Sequence, residues 1–133
     1  MTWREQVRAL RDQGFDVLDW LSAVQESHGA VVITACFVRS DQPAEARLLT
    51  APAPVASIAD MYPSAVWHER ETAEMFEVDF AGHPDPRPLL VPEEQRGVLR
   101  KDAALPARLE PWPGAVDPAK PRRVQDPPGT PWR

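Results

Sequence analysis

Residues 31–38 read Val31-Val32-Ile33-Thr34-Ala35-Cys36-Phe37-Val38. The run is β-branched and aromatic, continuous rather than alternating, and free of glycine and proline. Such a run reads as a strand buried on both faces. Gly29 before it and Asp41–Pro43 after it mark turns. Glu45–Thr50 is therefore expected as the next strand of a hairpin, stopped by Pro52 and Pro54. Upstream, Phe15–Val24 (FDVLDWLSAV) is apolar but mixed in period. Periodicity alone does not choose between a helical turn entering a strand and a strand. Before it, residues 2–12 carry Trp3, Val7 and Leu10 at helical spacing, with Thr2 as a cap and Gly14 as the stop.

Downstream of the hairpin, a short helix is expected around Ser57–Met61, broken by Pro63. A second helix is expected from Ser64, as N-cap, to Phe76. After Phe80 the chain reads as loop, because Pro84, Pro86 and Pro88 forbid a helix and discourage a strand. The fold class expected is α+β, a small mixed or antiparallel sheet packed by helices over residues 1–105. Residues 106–133 hold eight of the chain's 16 prolines and read as an extended, proline-rich tail.

Charge divides the chain in the same place. Residues 1–95 hold 7 Lys/Arg against 16 Asp/Glu, and residues 96–133 hold 8 against 4, giving −5 in all. That balance excludes a generally basic nucleic-acid binder. The single cysteine, Cys36, excludes a disulfide framework and any cysteine-only metal or iron–sulfur site. No apolar run approaches the roughly 18 residues a membrane span needs. The charged N-terminus has no signal-peptide core, so cytoplasmic residence is expected.

The helix around Trp67–Phe76 carries most of the candidate chemistry. His68, Glu71 and Glu74 fall near one face, and His83 in the following loop lies within chain reach. One histidine with carboxylates suits a metal, which makes a free-standing metalloenzyme using His68, Glu71, Glu74 and His83 one class of reading. The HExxH pattern is absent, since position 72 is Thr. Cys36 sits mid-strand, where a thiol is packing rather than a nucleophile. There is no GxSxG, glycine-rich phosphate loop or dinucleotide fingerprint.

Three stretches together resemble a known family. Trp67–Leu90 reads WHERETAEMFEVDFAGHPDPRPLL, Asp60–Ala65 reads DMYPSA, and Leu99–Asp102 reads LRKD; Phe15–Val24 is a weaker fourth element. Their order and spacing are similar to those of the respiratory complex I 30-kDa subunit family, which includes a subunit of bacterial NADH-quinone oxidoreductase. The chain departs from the family pattern at several points. Glu74 replaces an Asp, Glu77 a Gly, Gln25 an Asp, and Pro86-Arg87-Pro88 a Leu-Arg-Arg, while Arg96-Gly97-Val98 keeps only part of a Gly-His-Pro.

The resemblance implies a non-catalytic structural subunit of a peripheral arm, with no cofactor of its own. It would pack against the 49-kDa-type subunit and neighbouring peripheral-arm subunits, which carry the iron–sulfur clusters and flavin. It implies neither nucleic-acid binding nor membrane insertion, and places the chain peripherally at the membrane through its complex. An equivalent subunit of a membrane-bound group 4 [NiFe] hydrogenase is the alternative within the same class. The motif residues it marks are Glu69, Arg70, Glu71, Gly82, His83, Pro84, Asp85 and Arg87. Arg100, Lys101, Asp102, Trp112 and Trp132 are expected partner contacts.

Three physical expectations accompany it. Glu69, Arg70 and Glu71 should form an ion-pair network at the base of the Gly82–Arg87 loop, with Arg70 the costliest to remove. His83, Asp85 and Arg87, stiffened by proline, should face a partner. The tail should lie along a partner, its tryptophans as anchors and its arginines giving orientation.

Overall fold

A computed structural model describes residues 1–104. The expected tail over residues 106–133, with Trp112 and Trp132, lies outside the described residues. The elements run α1 (Trp3–Asp12), β1 (Val17–Gln25), β2 (Val31–Val38), β3 (Ala46–Pro52), β4 (Val55–Ala56), α2 (Ala65–Phe76) and β5 (Phe80–Ala81). A single 3-10 turn follows at Glu93–Gln95. None of the described helices is long and apolar enough to cross a membrane.

α1 begins as expected. The Thr2 hydroxyl accepts the Glu5 N–H at 3.3 Å, and the Glu5 carboxylate accepts the Thr2 N–H at 2.6 Å, a reciprocal capping box. Trp3, Val7 and Leu10 are buried along one stripe. At its end, Gly14 takes φ +94° while the Phe15 N–H returns to the Leu10 carbonyl.

β1, β2 and β3 form an antiparallel sheet with β2 in the centre. β1 resolves the mixed period of Phe15–Val24. Its register slips between Leu18 and Trp20, where Asp19 is the extra residue of a bulge. The bulge lets Leu18 and Leu21 both face inward although three residues apart, which an unbroken strand forbids. β4 and β5 add a two-stranded parallel pair that sequence reasoning left as loop. The core gathers α1, the inner face of the sheet and α2, with Val7, Ile33, Phe37, Ile58 and Ala65 fully buried.

Two local expectations are corrected. Residues 57–61 form no helix. The Met61 and Tyr62 N–H groups both turn back to the Ile58 carbonyl, and Pro63 has no N–H to continue the ladder. Instead Arg4 reaches the Ser57 carbonyl and Arg11 the Met61 carbonyl, pinning the turn to α1. Arg4 also pairs with Asp60 at 2.6 Å. The Tyr62 hydroxyl donates to the Phe15 carbonyl at 2.6 Å. Ser64 does stand before α2, but it is already helical in backbone and its side chain caps nothing. The turn preceding it satisfies the first amides: the Ala65 and Val66 N–H groups meet the Tyr62 and Pro63 carbonyls.

Candidate docking site on the second helix

α2 holds two other segments through three side chains, Glu69, Arg70 and Glu74. Glu69 is fully buried, with 0% of it exposed. One carboxylate oxygen accepts the Ile58 N–H at 2.8 Å and the other the Ser57 hydroxyl at 2.6 Å. Burial is the largest influence on this carboxyl and raises its pKa, with the two hydrogen bonds only partly opposing it. Glu69 thus carries the turn before α2.

Arg70, on the neighbouring face, carries the loop after it. Its Nε donates to the Arg87 carbonyl at 3.0 Å and its Nη2 to the Pro88 carbonyl at 2.8 Å. Its side chain is only 9% exposed, with the guanidinium 5.4 Å from the centre of the Trp67 ring. One turn further, Glu74 accepts the N–H groups of Leu89, Leu90 and Val91. Burial opposes its ionisation, yet these three donors hold its pKa below the ordinary value. A carboxylate at position 74 therefore does what a backbone partner would do for an irregular, proline-broken segment.

The loop itself is rigid from within. The His83 side chain is 7% exposed. Its Nδ1 accepts the Asp85 N–H at 3.0 Å, which leaves Nε2 to donate to the Val66 carbonyl at 3.2 Å. Nε2 also lies 3.6 Å from Glu69. Asp85 receives Arg87 in a two-pronged pair at 2.7 and 2.8 Å. That pair, foremost, holds the Asp85 carboxyl well below the usual range. Arg87 is 79% exposed, and Pro84, Pro86 and Pro88 are exposed beside it. Between loop and helix lies a cavity of about 260 Å³, lined among others by Glu69, Arg70, Phe80, His83 and Arg96.

A third segment closes the far end of α2. The helix's last carbonyls, from Ala73, Glu74 and Met75, accept the Arg96 guanidinium and the Gly97 and Leu99 N–H groups. Glu77 ends the helix at φ 54°, in the left-handed region, and Arg100 reaches its carboxylate at 3.3 Å. Gln25, buried at the end of β1, accepts the Lys101 N–H at 2.6 Å and donates to Asp102 at 3.2 Å. Arg100 also pairs with Asp102, the chief reason the Asp102 pKa falls to about 2, with Gln25 assisting. The Lys101 side chain is exposed.

Several expectations change here. Glu69, Arg70 and Glu71 do not pair with one another: the first two bind different segments, and Glu71 is exposed. Helical geometry separates adjacent positions by about 100°, which sends the three charges to three surfaces. His83 is a buried loop strut rather than a surface contact. His68, Glu71, Glu74 and His83 are not brought together as a metal site. No cluster of three His, Cys, Asp or Glu with ligand geometry occurs among the described residues. Glu74 and His83 are committed to the backbone. Cys36 is buried, and burial pushes its thiol pKa up. Sequence reasoning missed the fastening roles of Gln25, Arg4 and Arg11. Gln25 had a signal, a polar residue at an inward position ending an apolar strand.

The family model described as respiratory-chain NADH dehydrogenase, 30 Kd subunit, matches residues 1–109. A NAD(P)H-quinone oxidoreductase subunit J of Prochlorococcus marinus (strain NATL1A) is 35% identical over 119 residues, covering 75% of this chain and 65% of that protein. The subunit J of Synechococcus sp. (strain WH7803) is 35% identical over 115 residues, covering 74% and 62%. That of Prochlorococcus marinus (strain MIT 9303) is 49% identical over a shorter 51 residues, 38% of this chain and 28% of the relative. The chain thus spans less than two thirds of the length of these relatives.

Proposed function

The chain belongs to the family of the 30-kDa subunit of respiratory-chain NADH dehydrogenase, and from that premise we propose that it is a structural, non-catalytic subunit of an NADH-quinone oxidoreductase. Its task is to hold a rigid loop against a neighbour in the peripheral arm, the 49-kDa-type subunit, and so to support electron transfer to quinone. The observation that carries this reading is the fixing of residues 83–91. Arg70 takes two of the loop's carbonyls and Glu74 three of its N–H groups, while Arg87 is left facing outward. A segment ordered in advance loses little entropy on docking, which suits a permanent contact.

The same commitments argue against chemistry in this chain. Glu69, Glu74 and His83 are spent on holding backbone, and Cys36 is buried within the sheet. On this reading the iron–sulfur clusters and flavin sit in partner subunits, and the chain meets the membrane only through its complex. The name of the relatives, NAD(P)H-quinone oxidoreductase subunit J, favours the quinone-reducing class over the hydrogenase class.

Arg87→Ala tests it. The Arg87 carbonyl that Arg70 holds is backbone and survives the substitution. Stability of the isolated chain should therefore stay within about 0.5 kcal/mol, while co-purification with the other subunits should fall. Unfolding of the isolated variant, or undiminished co-purification, would remove the loop from the interface.

A further inference from the structure

The side of the sheet turned away from the helices carries a second surface. Across it, Trp20, Cys36 and Leu48 form one row and Val24, Val32 and Pro52 another, with a row of hydroxyl residues between them. A fourth row pairs Val17 with Val38 and Ala46. None of these positions is charged. Asp19, the extra residue of the bulge, has no cross-strand partner in the rows but lies beside Trp20 on the outer side, near enough for its charge to act on the Cys36 thiol. Val24 is 57% and Leu48 60% exposed, with Val17 and Trp20 also open to solvent. An antiparallel sheet with one wet face alternates apolar-in with polar-out, and this one does not. Contiguous exposed apolar patches of a few hundred Å² mark interaction sites.

Dimensions and charge decide what covers it. Three strands about 4.8 Å apart and about eight residues long span roughly 14 by 26 Å, or about 370 Å². Two copies meeting on this face alone would bury about twice that, short of the roughly 1,200 Å² at which stable interfaces begin. The face fits instead as the apolar centre of a larger contact whose polar rim other elements supply. An acidic partner group buried on it would find no counter-charge in the four rows and would meet Asp19 beside them.

We infer that this face docks a neighbouring subunit of the same oxidoreductase assembly, one that presents an uncharged, largely aliphatic surface. The inference rests on the assignment of the chain to such an assembly. It adds a contact on the side of the sheet opposite α2, so that the chain sits between two neighbours rather than at the edge of one.

The test places a charge on the face. Val24→Lys and Leu48→Lys are introduced separately into the full chain, which is expressed with the other subunits and recovered through a tag on one of them. Arg8→Glu, on the exposed side of α1, is the control. Both face variants should melt as the unaltered chain does when isolated, since both sites are open. Their retention in the complex should fall about tenfold or more, while the control is retained. Full retention of both face variants would overturn the inference and leave the assembly assignment standing. Failure of the unaltered chain to be retained would overturn both. A concentration-dependent dimer of the isolated chain, abolished by Leu48→Lys, would assign the face to a second copy and overturn the inference.

Discussion

Glu69 has no solvent around it, and its carboxylate holds the Ile58 N–H and the Ser57 hydroxyl. Glu69→Ala leaves both groups buried without a partner and should cost about 2–3 kcal/mol. Glu69→Gln keeps an acceptor for Ile58 and offers an amide to the Ser57 oxygen, so it should cost less. The two side chains differ in their response to pH. The unfolded chain ionises Glu69 near its ordinary value of about 4.3, and the folded chain ionises it higher because the site is buried. Stability from this group is therefore complete below the ordinary value and is lost as pH rises through the folded one. Glu74, Asp85 and Asp102 have lowered pKa values and act in the opposite sense, losing their contribution as pH falls. Urea unfolding of the unaltered chain and of Glu69→Gln across acid to neutral pH isolates Glu69. Relative to the Gln variant, the unaltered chain should lose stability as pH rises; a flat difference would mean that burial leaves this carboxyl unshifted. Glu77 makes a separate case. Its left-handed φ costs an L-residue about 1–2 kcal/mol, against about 0.5–1 kcal/mol of extra chain entropy for glycine. The exposed Arg100 pair adds little. Glu77→Gly should therefore raise the melting temperature slightly, and a lower one would show that the Arg100 contact outweighs the backbone.

At the scale of elements, α2 acts as a bracket whose faces each take a different piece of irregular chain. Removing Arg70 should free the Arg87 and Pro88 carbonyls, cost about 1–3 kcal/mol and expose residues 83–91 to protease. Glu71→Ala should change stability by no more than about 0.5 kcal/mol. The expected order of cost is Glu69, then Arg70, then Glu71, measured by melting and limited proteolysis of the three alanine variants. Equal shifts would mean that α2 does not bracket these segments. The α1 helix and β2 were legible in the sequence because their signals are local: a Thr2 cap with Trp3, Val7 and Leu10 at helical spacing, and an unbroken β-branched run. The identity of the charged motif was legible too, through its resemblance to a family. Its wiring was not. Which charge meets which segment depends on where residues 57, 58 and 87–91 return in space, and no spacing along the chain encodes that. The bulge at Asp19 hid β1 for a related reason, since one inserted residue shifts the period-two pattern to the other face.

Across the whole molecule, one strap ties the sheet to the far end of α2. Residues 97–102 cover the last carbonyls of α2 at one end and reach β1 at the other, through the buried amide of Gln25. The family pattern has an acid where this chain has Gln25. The amide suits this site, because it must accept the Lys101 N–H and donate to the Asp102 carboxylate at once, and a carboxylate could only accept. It would also stand beside the already ionised Asp102. Gln25→Asp should for that reason be worse than a loss of one contact, bringing two negative charges together with Arg100 the nearest compensation. Gln25→Ala simply removes the anchor. Both variants should loosen the strap first: the Gly97, Leu99 and Lys101 amides should exchange hydrogen faster, while Ile33 and Phe37 in the central strand keep their protection. Losing the strap uncovers the α2 carbonyls nearest Glu74, so Leu90 and Val91 should follow as the second group to lose protection. Loss of protection at all these sites together, the central strand included, would mean that strap, helix and sheet unfold as one unit.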